Sequence, residues 1–318
     1  MNSEKIKILV TGGSGLVGSA IQEISLNYKH KYEFIFMSSK NCDLTNYCNT
    51  YNYFSNITPD YVIHLAANVG GLYKNMRKKV EIFEDNMKIN MNVLKVCHLL
   101  NVKKVISCLS TCIFPDNIYY PINEENLHKG PPHNSNNAYS YAKRMLEIQS
   151  KIYNQQYNTN FICIIPTNIY GPNDNFNLLD AHVIPSLIHK GYISSNEDEP
   201  FVVYGTGKPL RQFIYSQDLA KIIMLILENY NKKESIIISP DENEEVSIKE
   251  VAEIIANKYD IKKKLAFDIS YSDGQFKKTA DNKKLKNLLP NNFKFKNIKE
   301  GIEDSIDWFV DNYEEARI

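Results

Sequence analysis

Gly12, Gly15 and Gly18 stand three residues apart in the run Gly12-Gly13-Ser14-Gly15-Leu16-Val17-Gly18, between a β-rich segment at 5–10 (KIKILV) and a helix-forming one, GSAIQEISL. Glycine at this spacing allows a very tight turn, lets the backbone approach a pyrophosphate, and lets the helix pack closely on the strand. The phosphates then lie on the helix N-terminus, where free N–H groups and the helix dipole favour an anion. Strand, loop and helix together predict a dinucleotide-binding unit. Gly12, Gly13, Ser14, Gly15, Leu16, Val17 and Gly18 are its expected phosphate-binding residues.

The rest of the chain extends that unit. EFIFMSS (33–39), YVIHLAA (61–67), KKVISCLST (103–111) and FICIIPTNIY (161–170, running to Pro166) read as strands, with helices at 79–100 and 138–157. Nearly continuous apolar strands alternating with helices predict an α/β fold, a Rossmann-type doubly wound parallel sheet covered on both faces. After Gly171-Pro172 the sequence turns to loops and shorter elements, and a smaller C-terminal α/β lobe for substrate is expected. Residues 1–170, with a returning stretch at about 212–235 that includes a helix at 217–230, form the expected cofactor domain. Residues 171–211 and 236–318 form the second lobe. An amphipathic helix at 246–259 takes Ser247 as its N-cap. Trp308 reads as a core-facing helical residue, and the Asn/Lys clusters near 282–298 as a solvated face.

Composition narrows the partners. Thirty-seven Lys+Arg balance 37 Asp+Glu, whereas sequence-independent nucleic-acid binding needs a basic face. The opening MNSEKIKILV is too charged for a signal peptide, and no stretch approaches the roughly 18 apolar residues of a membrane span. A cytoplasmic chain with neither nucleic-acid nor membrane partners is expected. None of the six cysteines forms a CxxC pair, so no metal site is expected. Reduced, mostly buried thiols are the ordinary reading of such cysteines.

The second strand ends in Met37-Ser38-Ser39-Lys40, without the carboxylate that NAD-binding folds direct at the ribose 2′-hydroxyl. Two hydroxyls and a cation suit a 2′-phosphate, so NADP(H) is expected, with Ser39 and Lys40 as contacts. As an alternative, Lys40 is an ordinary surface lysine. Asp43-Leu44 either meets the adenine or makes a turn. Tyr139 and Lys143, four apart, share one helical face. An ammonium near a tyrosine favours its phenolate, and Lys143 can also hydrogen-bond the nicotinamide ribose. Ser110 lies at a strand end upstream. Tyr141 has Met145, not lysine, four residues on. Cys112 stands two residues after Ser110, where parallel sheets bind ligands. From the residues alone, Cys112 and His182 are each either structural or proton-transfer groups; His64 reads as structural.

The order of glycine loop, Ser110, Tyr139 and Lys143 resembles the extended branch of the short-chain dehydrogenase/reductase superfamily. ILVTGGSGLVGSAIQ, VIHLAANVGGL, SCLSTCIFP, GPPHNSNNAYSYAKRM, IPTNIYGPNDNFN, HVIPSLIHK, RQFIYSQDLA and SDGQFKKTA resemble, in order and over nearly the whole chain, the GDP-L-fucose synthases. That family converts GDP-4-keto-6-deoxy-D-mannose by 3,5-epimerisation and NADPH-dependent 4-reduction. The resemblance implies proton exchange by Cys112 and His182, and reduction with Ser110, Tyr139 and Lys143. It also implies cofactor contacts from Pro166, Thr167, Asn168, Ile169 and His182. The implied nucleotide-sugar contacts are Asn168, Lys190, Tyr204, Arg211, Asp273 and Lys278. A homodimer through the helices at 79–100 and 138–157 is implied as well. Tyr204 departs from the family, which usually carries tryptophan there. A related 4,6-dehydratase typically has an acidic residue where Cys112 stands. A 4-epimerase retains NAD and needs no external reductant. A non-catalytic NADP(H)-sensing relative typically loses the tyrosine or the lysine, and this chain has both.

Overall fold

Apolar strand runs from both ends of residues 5–240 assemble into one sheet in the computed structural model, which describes residues 5–318. Residues 1–4, part of the opening read as leader-free, lie outside the described residues. In chain order the first half forms β1 (Ile6–Thr11), α1 (Leu16–Ser25), β2 (Tyr32–Met37), α2 (Tyr47–Ile57), β3 (Tyr61–His64), α3 (Leu72–Arg77), α4 (Lys79–Leu99), β4 (Lys104–Cys108), α5 (Asn137–Tyr157) and β5 (Phe161–Pro166). The second half forms β6 (Asn168–Tyr170), α6 (Val183–Asn196), β7 (Phe201–Tyr204), β8 (Leu210–Arg211), β9 (Phe213–Tyr215), α7 (Ser216–Asn229), β10 (Ile236–Ile238), β11 (Val246–Ser247), α8 (Ile248–Lys258), β12 (Leu265–Asp268), α9 (Lys283–Lys286) and α10 (Ile298–Asp311).

The main sheet runs β10-β5-β4-β3-β1-β2, every pair parallel. β4 and β5 are buried along their whole length, which is why their sequences do not alternate. From β1 the chain steps to β2 on one side and to β3 on the other. That switch point opens a crevice at the carboxyl ends of the strands, where such sheets hold ligands. α1 and α7 pack one face through Val17, Ile21, Leu219, Ile222 and Ile226. Lys104 donates to the carbonyls of Leu227 (2.7 Å) and Tyr230 (3.0 Å), a cation closing the C-terminal end of α7.

Two expectations change here. Ile236–Ile238, expected in the second lobe, pairs with Ile164–Pro166 as an edge of the main sheet, so the returning stretch runs through residue 238. The 282–298 segment is not a solvated face throughout. Leu285 is fully buried in the same core as Ile236 and Tyr230, and Leu288, Leu289, Phe293 and Phe295 pack against it. Its lysines reach out to form ion pairs, Lys284 with Glu234 and Lys286 with Asp241, both at 2.7 Å. Polar composition hid a short apolar stripe.

The second lobe has its own core, in which Phe176 stacks on Phe309 at 4.4 Å and on the partly buried Trp308 at 6.0 Å. Its small pairs, β7 with β12 and β8 with β11, aim the ends of β7 and β8 at the crevice. Ser247 caps α8 in a reciprocal box with Glu250.

Candidate active site

The glycine loop closes because two of its members have no Cβ. Gly12 has φ +71°, and a Cβ there would lie 2.9 Å from the Ala66 nitrogen; one on Gly18 would lie 2.4 Å from the Gly12 oxygen. Gly13 differs from its expected role. Its N–H donates to Met37 O at 2.7 Å and its α-carbon faces Phe36, so it ties the loop to β2 and does not line the crevice. No side chain caps α1 and its first turn holds no acidic residue. Those N–H groups are therefore available to an anion, and the cradle fits a dinucleotide pyrophosphate.

Below the loop, Thr11 Oγ1 meets His64 Nδ1 at 2.8 Å and Asn90 Oδ1 meets His64 Nε2 at 3.1 Å. Burial holds His64 down at about 3, a neutral core histidine. Asp43 accepts from Thr45 N–H and Oγ1 at 2.9 and 2.7 Å, making a turn beside the crevice.

The crevice encloses about 1010 Å³ and is lined by Ser14, Gly15, Leu16, Val17, Ser39, Pro166, Thr167, Asn168 and Ile169 on the sheet side. Lys40 is exposed and opens on an adjoining hollow of about 340 Å³ with Asn49, Asn52 and Tyr53, which shares Ser39 and Asp43 with the main crevice. Met37, Ser38 and Ser39 of that strand end line the main space.

Ser110, Cys112, Tyr139, Lys143 and His182 line one part of the same cavity. The 108–113 strap is tied down onto α5. Lys143 Nζ donates to Cys108 O at 2.8 Å, Ser140 Oγ to Cys112 O at 2.9 Å, and Arg144 Nε to Ile113 O at 2.5 Å. Ser110 Oγ accepts from Cys112 N–H at 3.4 Å. These bonds fix Cys112 next to Tyr139. Burial, then the neighbouring Cys112 and Cys108, push the Tyr139 phenol well above its usual range. Burial also lowers Lys143. The expected phenolate is therefore not what this geometry favours: Tyr139 holds its proton and can give it away. Burial pushes the Cys108 thiol up to about 11 and that of Cys163 to about 12. Cys48 is exposed on α2, an exception among thiols expected to be mostly buried.

His182 sits at the N-terminus of α6 with its ring open to the cavity. The enclosing protein, then Lys278 and Lys74, hold its pKa down, which keeps the imidazole neutral and able to accept a proton. Across the cleft, burial brings Lys190 and Lys278 down to about 8 and Arg211 to about 10. Arg211 donates to the carbonyls of Leu210, Gln275 and Phe276. Asp273 lines the cleft, and its two oxygens accept from Thr206 N–H and Thr206 Oγ1, both at 2.7 Å, so it also staples the 205–208 loop.

Lining residues that were not expected include Tyr73 on α3, Asp174, and Arg317. Tyr73 lies on a six-residue helix too short for a periodic signal, although Gly70-Gly71 marks its start. Arg317 reaches the cavity through a parallel bridge with Asn175, a pairing no local pattern announces. Among the described residues no cluster of His, Cys, Asp and Glu could hold a metal ion. No described helix is long and apolar enough to cross a membrane.

Comparison with known proteins agrees with this geometry. The NAD dependent epimerase/dehydratase family matches residues 8–239. A GDP-L-fucose synthase of Dictyostelium discoideum is 51% identical, over 99% of this chain and 98% of its own. A probable GDP-L-fucose synthase of Drosophila melanogaster is 45% identical, over 98% and 99%. The crystal structure of a GDP-L-fucose synthetase from Naegleria fowleri bound to NADP superposes with a TM-score of 0.93 at 45% identity, covering 99% of this chain and 96% of that one. By sequence and by backbone alike, this chain belongs to the NAD dependent epimerase/dehydratase family and, within it, to the GDP-L-fucose synthases.

Proposed function

We propose that the chain converts GDP-4-keto-6-deoxy-D-mannose to GDP-L-fucose, by epimerisation at C3 and C5 followed by reduction at C4 with NADPH. One observation carries the reading. A reductase set, Ser110, Tyr139 and Lys143, shares its cavity with two further proton-transfer groups, Cys112 and His182. Reduction alone needs neither.

The C4 ketone acidifies the protons on C3 and C5, so each centre inverts by losing a proton from one face and regaining one on the other. Cys112 Sγ and the neutral His182 ring are the groups suited to that exchange. The enolate oxygen that forms at C4 is met by the Ser110 and Tyr139 hydroxyls, donors already in place before the charge develops. NADPH, when bound, supplies the hydride to C4. Tyr139 Oη then gives its proton to the same oxygen, a role suited to a phenol held in its neutral form. Lys143 holds the 108–113 strap and offers its remaining N–H groups to the ribose. Ser39 at the end of β2, with no carboxylate beside it, supports a 2′-phosphate. Lys190, Arg211 and Lys278 supply cations for the diphosphate. Asn168 lies between the two ligands.

The reading includes a cytoplasmic homodimer. Its support is the pair α4–α5, which exposes Phe83, Met91, Tyr141 and Ile152. Light scattering at micromolar concentration tests it. The enzyme assay mixes protein, NADPH and the 4-keto sugar nucleotide in D₂O. GDP-L-fucose with deuterium at C3 and C5 is expected by NMR; a C4-reduced product with no deuterium would make the chain a simple reductase.

A further inference from the structure

At the rim of the cleft, Tyr204 and Tyr271 stack with ring centroids 3.9 Å apart and an interplanar angle of 13°. Lys190 Nζ lies over the other face of Tyr204, 3.4 Å from its centroid. Tyr204 is therefore covered on both faces. Tyr73 meets the pair at steep angles, 6.1 Å from Tyr204 and 5.9 Å from Tyr271. A ring nearly equidistant from two parallel rings can only stand beside the stack, so it leaves the outer face of Tyr271 uncovered. Tyr271 is 40% exposed, and among the described residues no other ring or cation packs over it.

The pile is held before any ligand arrives. β7 and β12 pair Tyr204 with Asp268, Gly205 N–H donates to Asp268 O at 2.8 Å, and Asp273 binds Thr206 twice. The loops carrying the two tyrosines are thus joined within two residues of each ring. Arg211 grips the carbonyls of Gln275 and Phe276, so a cation for a diphosphate is anchored to the same loop that carries Tyr271 at the rim. A flat, rigid aromatic face beside a phosphate-binding cation is the arrangement that stacks a nucleobase.

We propose that Tyr271 is a substrate-binding residue whose outer face stacks the planar base of the nucleoside diphosphate, with Tyr204 and Lys190 as its backing. The proposal rests on the nucleotide-sugar reading above. It makes Tyr204 a support, not the contact surface.

Calorimetric titration with GDP, and with inorganic pyrophosphate as a probe that has no base, tests it. Tyr271→Ala should weaken GDP about tenfold, the scale of one base–aromatic stack, and leave pyrophosphate unchanged. Tyr271→Phe should keep wild-type GDP affinity, and so should Tyr204→Phe. NADPH affinity, equal in all variants, reports an intact fold; if Tyr271→Ala loses it, the milder Tyr271→Leu takes its place. Unchanged GDP binding in Tyr271→Ala, or equal losses for GDP and pyrophosphate, would overturn the proposal. A wild-type protein that binds neither GDP nor the sugar nucleotide would instead overturn the nucleotide-sugar reading itself.

Discussion

Lys143 and Tyr139 lie one turn apart on α5, yet the Lys143 ammonium points to Cys108 O, 2.8 Å away, and stands 5.7 Å from the Tyr139 ring centre. The pair shares a face as its spacing predicts, but the lysine charge is turned to the strap carrying Cys112, and burial keeps the phenol protonated. In the proposed mechanism Tyr139 therefore serves as the acid of the reduction. Tyr139→Phe removes that proton and should lower ketone reduction by about two to four orders of magnitude, the usual worth of a positioned acid. NADPH affinity by fluorescence titration should stay unchanged, because the phenol adds nothing to the glycine cradle.

Ser140 reaches the same chemistry through the backbone. Its hydroxyl donates to Cys112 O at 2.9 Å and so sets where the thiol stands. Cys112→Ser should abolish solvent deuterium incorporation at one or both sugar centres while NADPH still binds. Ser140→Ala should lower the exchange rate about fivefold, the cost of one buried hydrogen bond of roughly 1 kcal/mol. Exchange that survives unchanged in Cys112→Ser would remove the thiol from the mechanism.

Much of this was legible in the chain for a physical reason. The glycine loop, the apolar strands and the Tyr139–Lys143 spacing are local patterns whose geometry follows from neighbours a few residues apart. What escaped the sequence depends on distant partners. Asp273 ties down the 205–208 loop through Thr206, 67 positions away. Arg317 lines the cavity through a bridge with the distant Asn175. The Lys/Asn-rich 282–298 stretch concealed Leu285, because five lysines and five asparagines outweigh one buried leucine in a composition window.

Leu285 supplies the stability test of that last point. It is fully buried beside Ile236 and Tyr230. Leu285→Ala should cost about 2–5 kcal/mol in urea unfolding, as expected for a buried leucine truncated to leave a cavity. The neighbouring Lys283→Ala, at an exposed ion pair, should cost almost nothing. Equal small effects would return the segment to a solvated face.

Cofactor choice turns on the end of β2. Ser39 faces the crevice and no carboxylate stands beside it. Ser39→Asp would set a negative charge against a 2′-phosphate, and should weaken NADPH at least tenfold while leaving NADH within about twofold, since a like charge at close range costs more than 1.4 kcal/mol. Lys40→Ala, outside the main cavity, should change NADPH affinity far less. Paired titrations with both nucleotides give the answer.

The proposed mechanism assigns the acid side of the pH profile to His182. It must be neutral to accept a proton, so activity falls as pH drops through its pKa. Desolvation within the cleft first, then Lys278 and Lys74, hold that pKa below the ordinary 6.5, because an imidazolium enclosed by the cleft and near two ammonium groups is disfavoured. The acid limb of epimerisation, followed as deuterium exchange, should therefore lie below 6.5. Lys278→Met removes one of those charges, raises the histidine pKa, and should shift the limb to higher pH whatever it does to substrate affinity. His182→Asn should erase the limb together with exchange at its sugar centre. A limb that stays in place in both variants would assign it to another group and leave His182 as no more than the N-terminal residue of α6.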